Sequence, residues 1–526
     1  MSTWYEQSIF YHMYPLGMTG APMENPEGPV CRRFEELEAY VPHMAKLGCT
    51  AVYIGPLFES TSHGYDTRDY KLVDRRLGDN DDFIRFVDQC HRAGIKVVVD
   101  GVFNHTGREF FAFRDIQANR DHSRYCGWYR GINFGWQSPL GDSFGYDAWQ
   151  GHFELPCLNL QNSEVKEYLF DVIRFWIDTF DIDGIRLDCA NVLDFQFMKE
   201  MRARTKEMKA DFWLMGEVIH GDYARWVNPE MLHSVTNYEL HKSLYSGLND
   251  HNFFEIAHNV RRLEAIGRQL YTFLDNHDEN RIASKLKNRE HLPLAHILLF
   301  TLPGIPSIYY GGEWGVEGMR TPYSDTELRP HIPLAEGEAM HSVLTDLVAA
   351  LGHMHGANPE FAGGRYQELL LTNRQYAYAR HGDHSVVITV CNNDDQEAAC
   401  SIPVPVNGQE ASVLIAWTPQ GLACLDETAA GNEAEPGCPD PAAAQAAQTT
   451  GGKWGTESPD RAAGNTGSAA GSGNPDKTTG TGQAAVAGQQ PETTGLLNQR
   501  IFPIENGRLN LTLEGNSGIV LKILEE

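Results

Sequence analysis

Four short segments carry residue types that acid–base and nucleophilic chemistry needs: Asp100-Gly-Val-Phe-Asn104-His105, Arg186-Leu-Asp188, Gly216-Glu217 and Asn276-His277-Asp278. A lone carboxylate at the end of a β-rich run is ordinarily a solvated or ion-paired strand terminus. Four carboxylates, two histidines and an arginine at four such ends are a different matter. Cleavage of a glycosidic bond needs one carboxylate as nucleophile and one carboxyl group as proton donor. A third negative group beside an oxocarbenium-like transition state adds electrostatic stabilisation. Arg186 and Asp188 stand two apart on one strand and so face the same side, which lets the guanidinium keep Asp188 ionised. Glu217 needs the opposite setting, with burial or like charge holding its proton near neutrality.

The elements that must position these residues follow from the pattern around them. Strands are expected at Ser8–Tyr14, Ala51–Gly55, Lys96–Asp100, Gly184–Asp188, Phe212–Glu217, Ser234–Asn237, Leu270–Leu274 and Ser307–Tyr310, each followed by a stretch of helical periodicity such as Asp81–Ala93 or Ser163–Phe180. Eight strands alternating with helices imply an α/β fold, a (β/α)8 TIM barrel, in which strand C-termini converge on one mouth. The connection after the third strand is long. Residues 106–160 show no clear helix and form an expected loop subdomain rich in aromatics: Tyr125, Trp128, Tyr129, Phe134, Trp136, Phe144, Tyr146, Trp149 and Phe153. A small core of its own and a surface for stacking on sugar rings are both open for these side chains.

Beyond a last helix near Ala339–Met354 the chain reads as strands, Tyr376–Ala379, His384–Cys391, Ala411–Ala416, Leu509–Leu513 and Gly518–Ile523, which suggests a C-terminal antiparallel β-sandwich. The catalytic barrel is placed at 1–358 and the β domain at 359–526. Between Glu427 and Gly495 the only large apolar side chains are Trp454 and Val486, too few to offset ordering entropy, so 427–495 is expected to be a disordered low-complexity insertion in that domain.

The 526 residues carry 43 Lys and Arg against 70 Asp and Glu, a formal charge of −27. That field argues against nucleic acid or an anionic membrane as partner, leaves a neutral polar ligand open, and does not decide between monomer and homo-oligomer. No run approaches a membrane span, the N-terminus lacks the parts of a signal peptide, and the ten cysteines are scattered without zinc-like spacing. Reduced thiols and a cytoplasmic location are expected.

In order and spacing the four segments resemble the signature regions of the α-amylase family of retaining glycoside hydrolases, family 13. His63-Gly-Tyr65-Asp-Thr-Arg-Asp-Tyr70 is similar to the family's tyrosine-bearing loop, and Leu155-Pro-Cys-Leu-Asn159 to its fifth region in the form found in cyclomaltodextrinases, neopullulanases and maltogenic amylases. The resemblance implies a hydrolase of α-1,4 and, as an open point, α-1,6 glucosidic bonds in maltodextrins and short α-glucans, working through a covalent glucosyl-enzyme. It implies Asp188 as nucleophile, Glu217 as general acid/base and Asp278 as transition-state stabiliser. Arg186 would orient Asp188, His105 and His277 would bind sugar hydroxyls, Tyr65 would stack under the ring, and Asp100 would be a scaffold residue. Asn104 corresponds to a position that often helps bind calcium in the family, yet Cys189-Ala190-Asn191 replaces the basic and histidine residues usual in calcium-dependent members. No cofactor is therefore expected, with calcium at Asn104 as the one candidate. A transglycosylase or α-glucosidase of the same family stays open, and more remotely a non-catalytic carbohydrate-binding barrel.

Overall fold

Runs such as Val97-Val98-Val99 are apolar on consecutive residues, the pattern of strands buried on both faces. The computed structural model describes residues 3–26, 28–424 and 496–525. Its central sheet has eight parallel strands, Phe10–Met13, Ala51–Ile54, Lys96–Gly101, Gly184–Leu187, Trp213–Gly216, Ser234–Val235, Tyr271–Phe273 and Ile305–Tyr309. They are hydrogen-bonded in the order six, five, four, three, two, one, eight, seven. A parallel bridge from Thr236 to Tyr271 closes the ring between the sixth and seventh strands. This is the (β/α)8 barrel that the sequence implies, with six strands shorter than expected and the third and eighth one residue longer.

Side chains alternate across a strand. Phe10, Ala51, Val98, Trp213, Met215, Tyr271 and Ile305 therefore fill the barrel interior, whereas Tyr11, Val52, Val97, Val99, Ile185, Leu187 and Leu214 pack outward against the helices. Trp213 takes the space that Gly184 leaves: a Cβ on Gly184 would lie 2.7 Å from the Trp213 carbonyl oxygen. The Trp213 ring stands 4.9 Å from Phe10, and Trp4 and Tyr5 from the N-terminal turn cover it from below. Two residues further along the same inward faces come His12, Asp100, Arg186 and Glu217, and the apolar plug gives way to a charged mouth.

Helices surround the sheet, and their starts follow local capping chemistry. Asn162 accepts from the Glu164 N–H to open Ser163–Phe180, Asp194 from Phe197 to open Phe195–Met208, and Asn237 from Leu240 to open Tyr238–Asn249. One expected alternation is missing: among the described residues the fifth strand is followed only by a 3-10 turn, Tyr223–Arg225. Gly221, Asp222, Asn228 and Pro229 punctuate that segment too often for a helix. The long connection also differs from expectation, because it holds a helix, Phe111–Asn119. Phe113 on this helix meets Tyr129 at 5.2 Å, Tyr146 at 4.9 Å and Phe144 at 5.7 Å between ring centroids. Those aromatics form a small core of the excursion.

The remaining strands, Arg365–Leu371, Gln375–His381, Ser385–Asn392, Ala398–Pro403, Glu410–Thr418, Gly421–Cys424, Ile501–Glu505, Arg508–Leu513 and Ser517–Leu524, pair antiparallel throughout. Ala398–Pro403, at one end of the strand order, folds back onto Arg365–Leu371 at the other. The two layers enclose a core that includes Ile388, Ile402, Val413, Leu511 and Leu521. The insertion expected at 427–495 lies outside the described residues.

The β domain is fastened to the barrel by Arg380, which is fully buried and donates to the carbonyls of Thr301, Phe361 and Gly364. Burial lowers its pKa to about 10, so it remains charged at neutral pH. Arg380→Ala leaves three buried acceptors without a donor, each costing about 1 kcal/mol or more. We expect a loss of about 3 kcal/mol in urea unfolding, with the β domain and barrel signals both shifting to lower denaturant.

Candidate active site

The strand ends bring the sequence-selected residues to one rim. Asp100 is the last residue but one of the third strand, with Asn104 and His105 in the turn beyond it, and Arg186 lies within the fourth. Asp188 follows that strand and leads into Cys189, whose backbone has a positive φ of 39°. Glu217 directly follows the fifth strand, and His277 and Asp278 occupy the turn after the seventh. Tyr65 sits in the hairpin loop between Phe58–Ser60 and Thr67–Val73.

Arg186 is the centre of this set. Its Nη1 donates to Asp100 Oδ1 at 2.9 Å and to Asp188 Oδ1 at 2.9 Å, and its Nη2 lies 2.9 Å from Glu217 Oε2. The guanidinium is buried, so solvent screens these pairs only weakly. Tyr53 also donates to Asp100, at 2.9 Å, which accounts for both oxygens of that carboxylate and makes it scaffold. Glu217 accepts from the Cys189 N–H at 3.0 Å and from the Tyr238 hydroxyl at 3.3 Å. Burial pushes the Glu217 pKa up, Arg186 opposes this, and the negative charges of Asp188 and Asp278 push it up further. A carboxyl group in that setting can keep and deliver a proton near neutrality.

A second cluster faces the first. His277 Nε2 stands 3.1 Å from Asp278 Oδ2 and 2.5 Å from the Tyr65 hydroxyl. Arg329 completes it, with Nη2 3.0 Å from Asp278 Oδ1 and Nε donating to the His277 carbonyl at 2.9 Å. Its guanidinium lies 4.5 Å over the Tyr14 ring. Asp278 is the most open of the three carboxylates, with 37% of its side chain exposed. Burial alone would raise its pKa, but His277 and Arg329 outweigh that and hold it far below the usual carboxylate range. The two carboxyl groups are therefore pushed in opposite directions, Glu217 upward and Asp278 downward.

His105 is buried, its Nδ1 is 3.2 Å from the Asn104 amide, its Nε2 has no partner, and burial lowers its pKa to about 4. A neutral imidazole with a free nitrogen suits hydroxyl binding. Trp149, alone among the loop aromatics, stands by it, 5.7 Å between ring centroids. The Asn104 amide nitrogen lies 3.2 Å from His105 Nδ1 and 4.0 Å from the Cys157 sulfur. Calcium takes six to eight oxygen ligands, and this neighbourhood of imidazole and sulfur does not fit it.

Three residues of the rim escaped the sequence reading, Arg329, Tyr238 and Tyr53, while Trp149 was included there only as one of nine loop aromatics. Tyr53 alone had an available signal, as the inward position at the end of the second strand. Arg329 lies in an irregular segment and meets Asp278 across 51 residues of chain.

The family model for the alpha-amylase catalytic domain matches residues 38–346. The chain belongs to the α-amylase family of glycoside hydrolases, family 13. It is 31% identical over 427 residues to a cyclomaltodextrinase of Bacillus sp., a match spanning 74% of this chain and 73% of that protein. It is 35% identical over 343 residues to neopullulanase 2 of Thermoactinomyces vulgaris, spanning 61% of this chain and 58% of that protein. Among solved structures, the cyclic α-maltosyl-(1→6)-maltose hydrolase of Arthrobacter globiformis superposes with a TM-score of 0.68 at 25% identity, covering 76% of this chain and 93% of that one.

The depressed pKa of Asp278 makes its ion a stabilising group. That contribution is fully present above the unfolded-state value of about 4 and is lost as pH falls toward the lower folded value. Asp278→Asn should therefore melt below wild type at neutral pH, with the gap shrinking in scans taken below about pH 4. A gap unchanged by acid would mean that Asp278 is not held ionised by His277 and Arg329.

Proposed function

We propose that the protein hydrolyses α-1,4-glucosidic bonds in maltodextrins and other short α-glucans with retention of configuration at the anomeric carbon. The observation that carries this reading is the single buried guanidinium of Arg186 shared by Asp188 and Glu217. Retaining enzymes set their two carboxyl groups about 5–5.5 Å apart, closer than inverting enzymes do, and holding both on one guanidinium supports the close arrangement.

In the proposed reaction an Asp188 oxygen forms a bond to the anomeric carbon while the glycosidic bond breaks and its electron pair stays on the leaving oxygen. Glu217 gives that oxygen its proton, leaving a glucosyl ester on Asp188. Water then loses a proton to Glu217 and attacks the same carbon, which frees Asp188 and restores the acid. Asp278 stabilises the positive charge that develops on the ring in both steps. Arg186 fixes the attacking oxygen, His105 and His277 bind hydroxyls of the glucose being cleaved, and Tyr65 stacks under it. Every step uses side chains of this chain, and no metal or organic cofactor enters.

The substrate class is supported by the relatives' names, cyclomaltodextrinase and neopullulanase, and is compatible with the net charge of −27, which leaves a neutral ligand open. Cys31, Cys49, Cys90, Cys126, Cys157, Cys189, Cys391 and Cys400 are unpaired thiols, which supports a reducing, cytoplasmic setting. Among the described residues no helix is long and apolar enough to cross a membrane.

Incubation with maltotriose, panose, cyclodextrin and starch followed by chromatography should give maltose and glucose as main products. Products longer than the substrate would shift the reading to transglycosylation. Glu217→Gln should lower kcat/KM by about 10²–10⁴ and abolish the alkaline limb of its pH profile. Asp188→Asn should leave no ester to trap, and hydrolysis surviving in it unchanged would overturn the assignment.

A further inference from the structure

Asp188 is followed by a cysteine whose positive φ of 39° turns the chain back over the mouth. The Cys189 side chain is buried, is in no disulfide and hydrogen-bonds the Asp188 carboxylate, while its backbone N–H donates to Glu217. One ligand atom each from His105, Asp188 and Cys189 lie within 4.8 Å of one another. His105 is 1% exposed and its Nε2 has no partner. Asp188 spends Oδ1 on Arg186, and its other oxygen is uncommitted in that contact.

An imidazole nitrogen, a carboxylate oxygen and a thiolate sulfur together are a donor set for a borderline-soft d10 or late first-row cation, and a poor one for calcium or magnesium. Three protein ligands leave the fourth tetrahedral position for water or a sugar hydroxyl. We propose that His105, Asp188 and Cys189 form a binding site for one zinc-type divalent cation inside the catalytic mouth, and that its occupancy blocks the sugar site. Binding exchanges the thiol proton of Cys189 for the cation and releases that proton to solvent, with no change of oxidation state. The blocking part rests on the reading of Asp188 as nucleophile, because a carboxylate oxygen bound to a cation is not available to attack carbon.

The site is tested on the full-length protein with Co2+ and Zn2+ as probes. Wild type should bind one Co2+ with a thiolate-to-cobalt charge-transfer band, and Zn2+ should bleach it. Cys189→Ala should lose the band and bind Zn2+ at least about tenfold more weakly, and His105→Ala should weaken Zn2+ to a similar degree while keeping the band. Cys189→Ser, which retains the size of the side chain, should also lose the band, so a poorly folded alanine variant does not decide the outcome. A band that persists in both Cys189 variants, or equal Zn2+ affinity in wild type and variants, overturns the site. Zn2+ should further inhibit maltotriose hydrolysis competitively in wild type. Zn2+ bound through Cys189 without inhibition would uphold the site and count against the role of Asp188.

Discussion

A buried guanidinium that serves three carboxylates sets the conditions for everything around it. Removing Arg186 would leave Asp100, Asp188 and Glu217 in a space from which water is largely excluded, where like charges repel strongly. With it in place, three acids can be packed against one another at the rim of an apolar barrel. Asp100 gives up both oxygens to this role and is held further by Tyr53. That leaves Asp188 and Glu217 one contact each with the cation and freedom to differ. Glu217 and Asp278 are set apart by their neighbours: Glu217 sits against two negative charges, whereas Asp278 sits between His277 and Arg329.

The barrel makes this arrangement possible because its strands supply two surfaces at once. Phe10, Val98 and Met215 are inward positions, and two residues further along come His12, Asp100 and Glu217, with Arg186 two beyond the inward Gly184. Apolar packing below therefore fixes the height and direction of the charged residues above without a single loop being needed to aim Arg186. Loops add the remaining parts. Tyr65, Trp149 and Arg329 come from three separate excursions, each anchored by its own hydrogen bonds or ring contacts.

That division explains what could be read from the sequence. Asp100, Arg186, Asp188, Glu217 and Asp278 lie on or next to strands, where a period of two and a change from apolar to ionisable residues reveal direction. Arg329 reaches the same carboxylate from an irregular segment, and neither spacing nor composition announces such a contact. Helix Phe111–Asn119 was hidden for a related reason: its buried residues Ala112, Phe113 and Ile116 span little more than one turn and sit amid aromatics that obscure any periodicity. The aromatics themselves were legible as a group but not as individuals, since Phe144 and Tyr146 serve packing whereas Trp149 faces His105. The cysteine after Asp188 was visible as a departure from the family pattern, but its nearness to His105 required the fold.

The plug of Phe10, Trp213 and Tyr271 beneath the charged rim makes the barrel a cup with one opening and no passage through its floor. A glucan cannot thread it. Whatever enters the cup must leave by the side on which it arrived. Traffic in and out shares one doorway, so whatever sits in that doorway governs arrival and departure together.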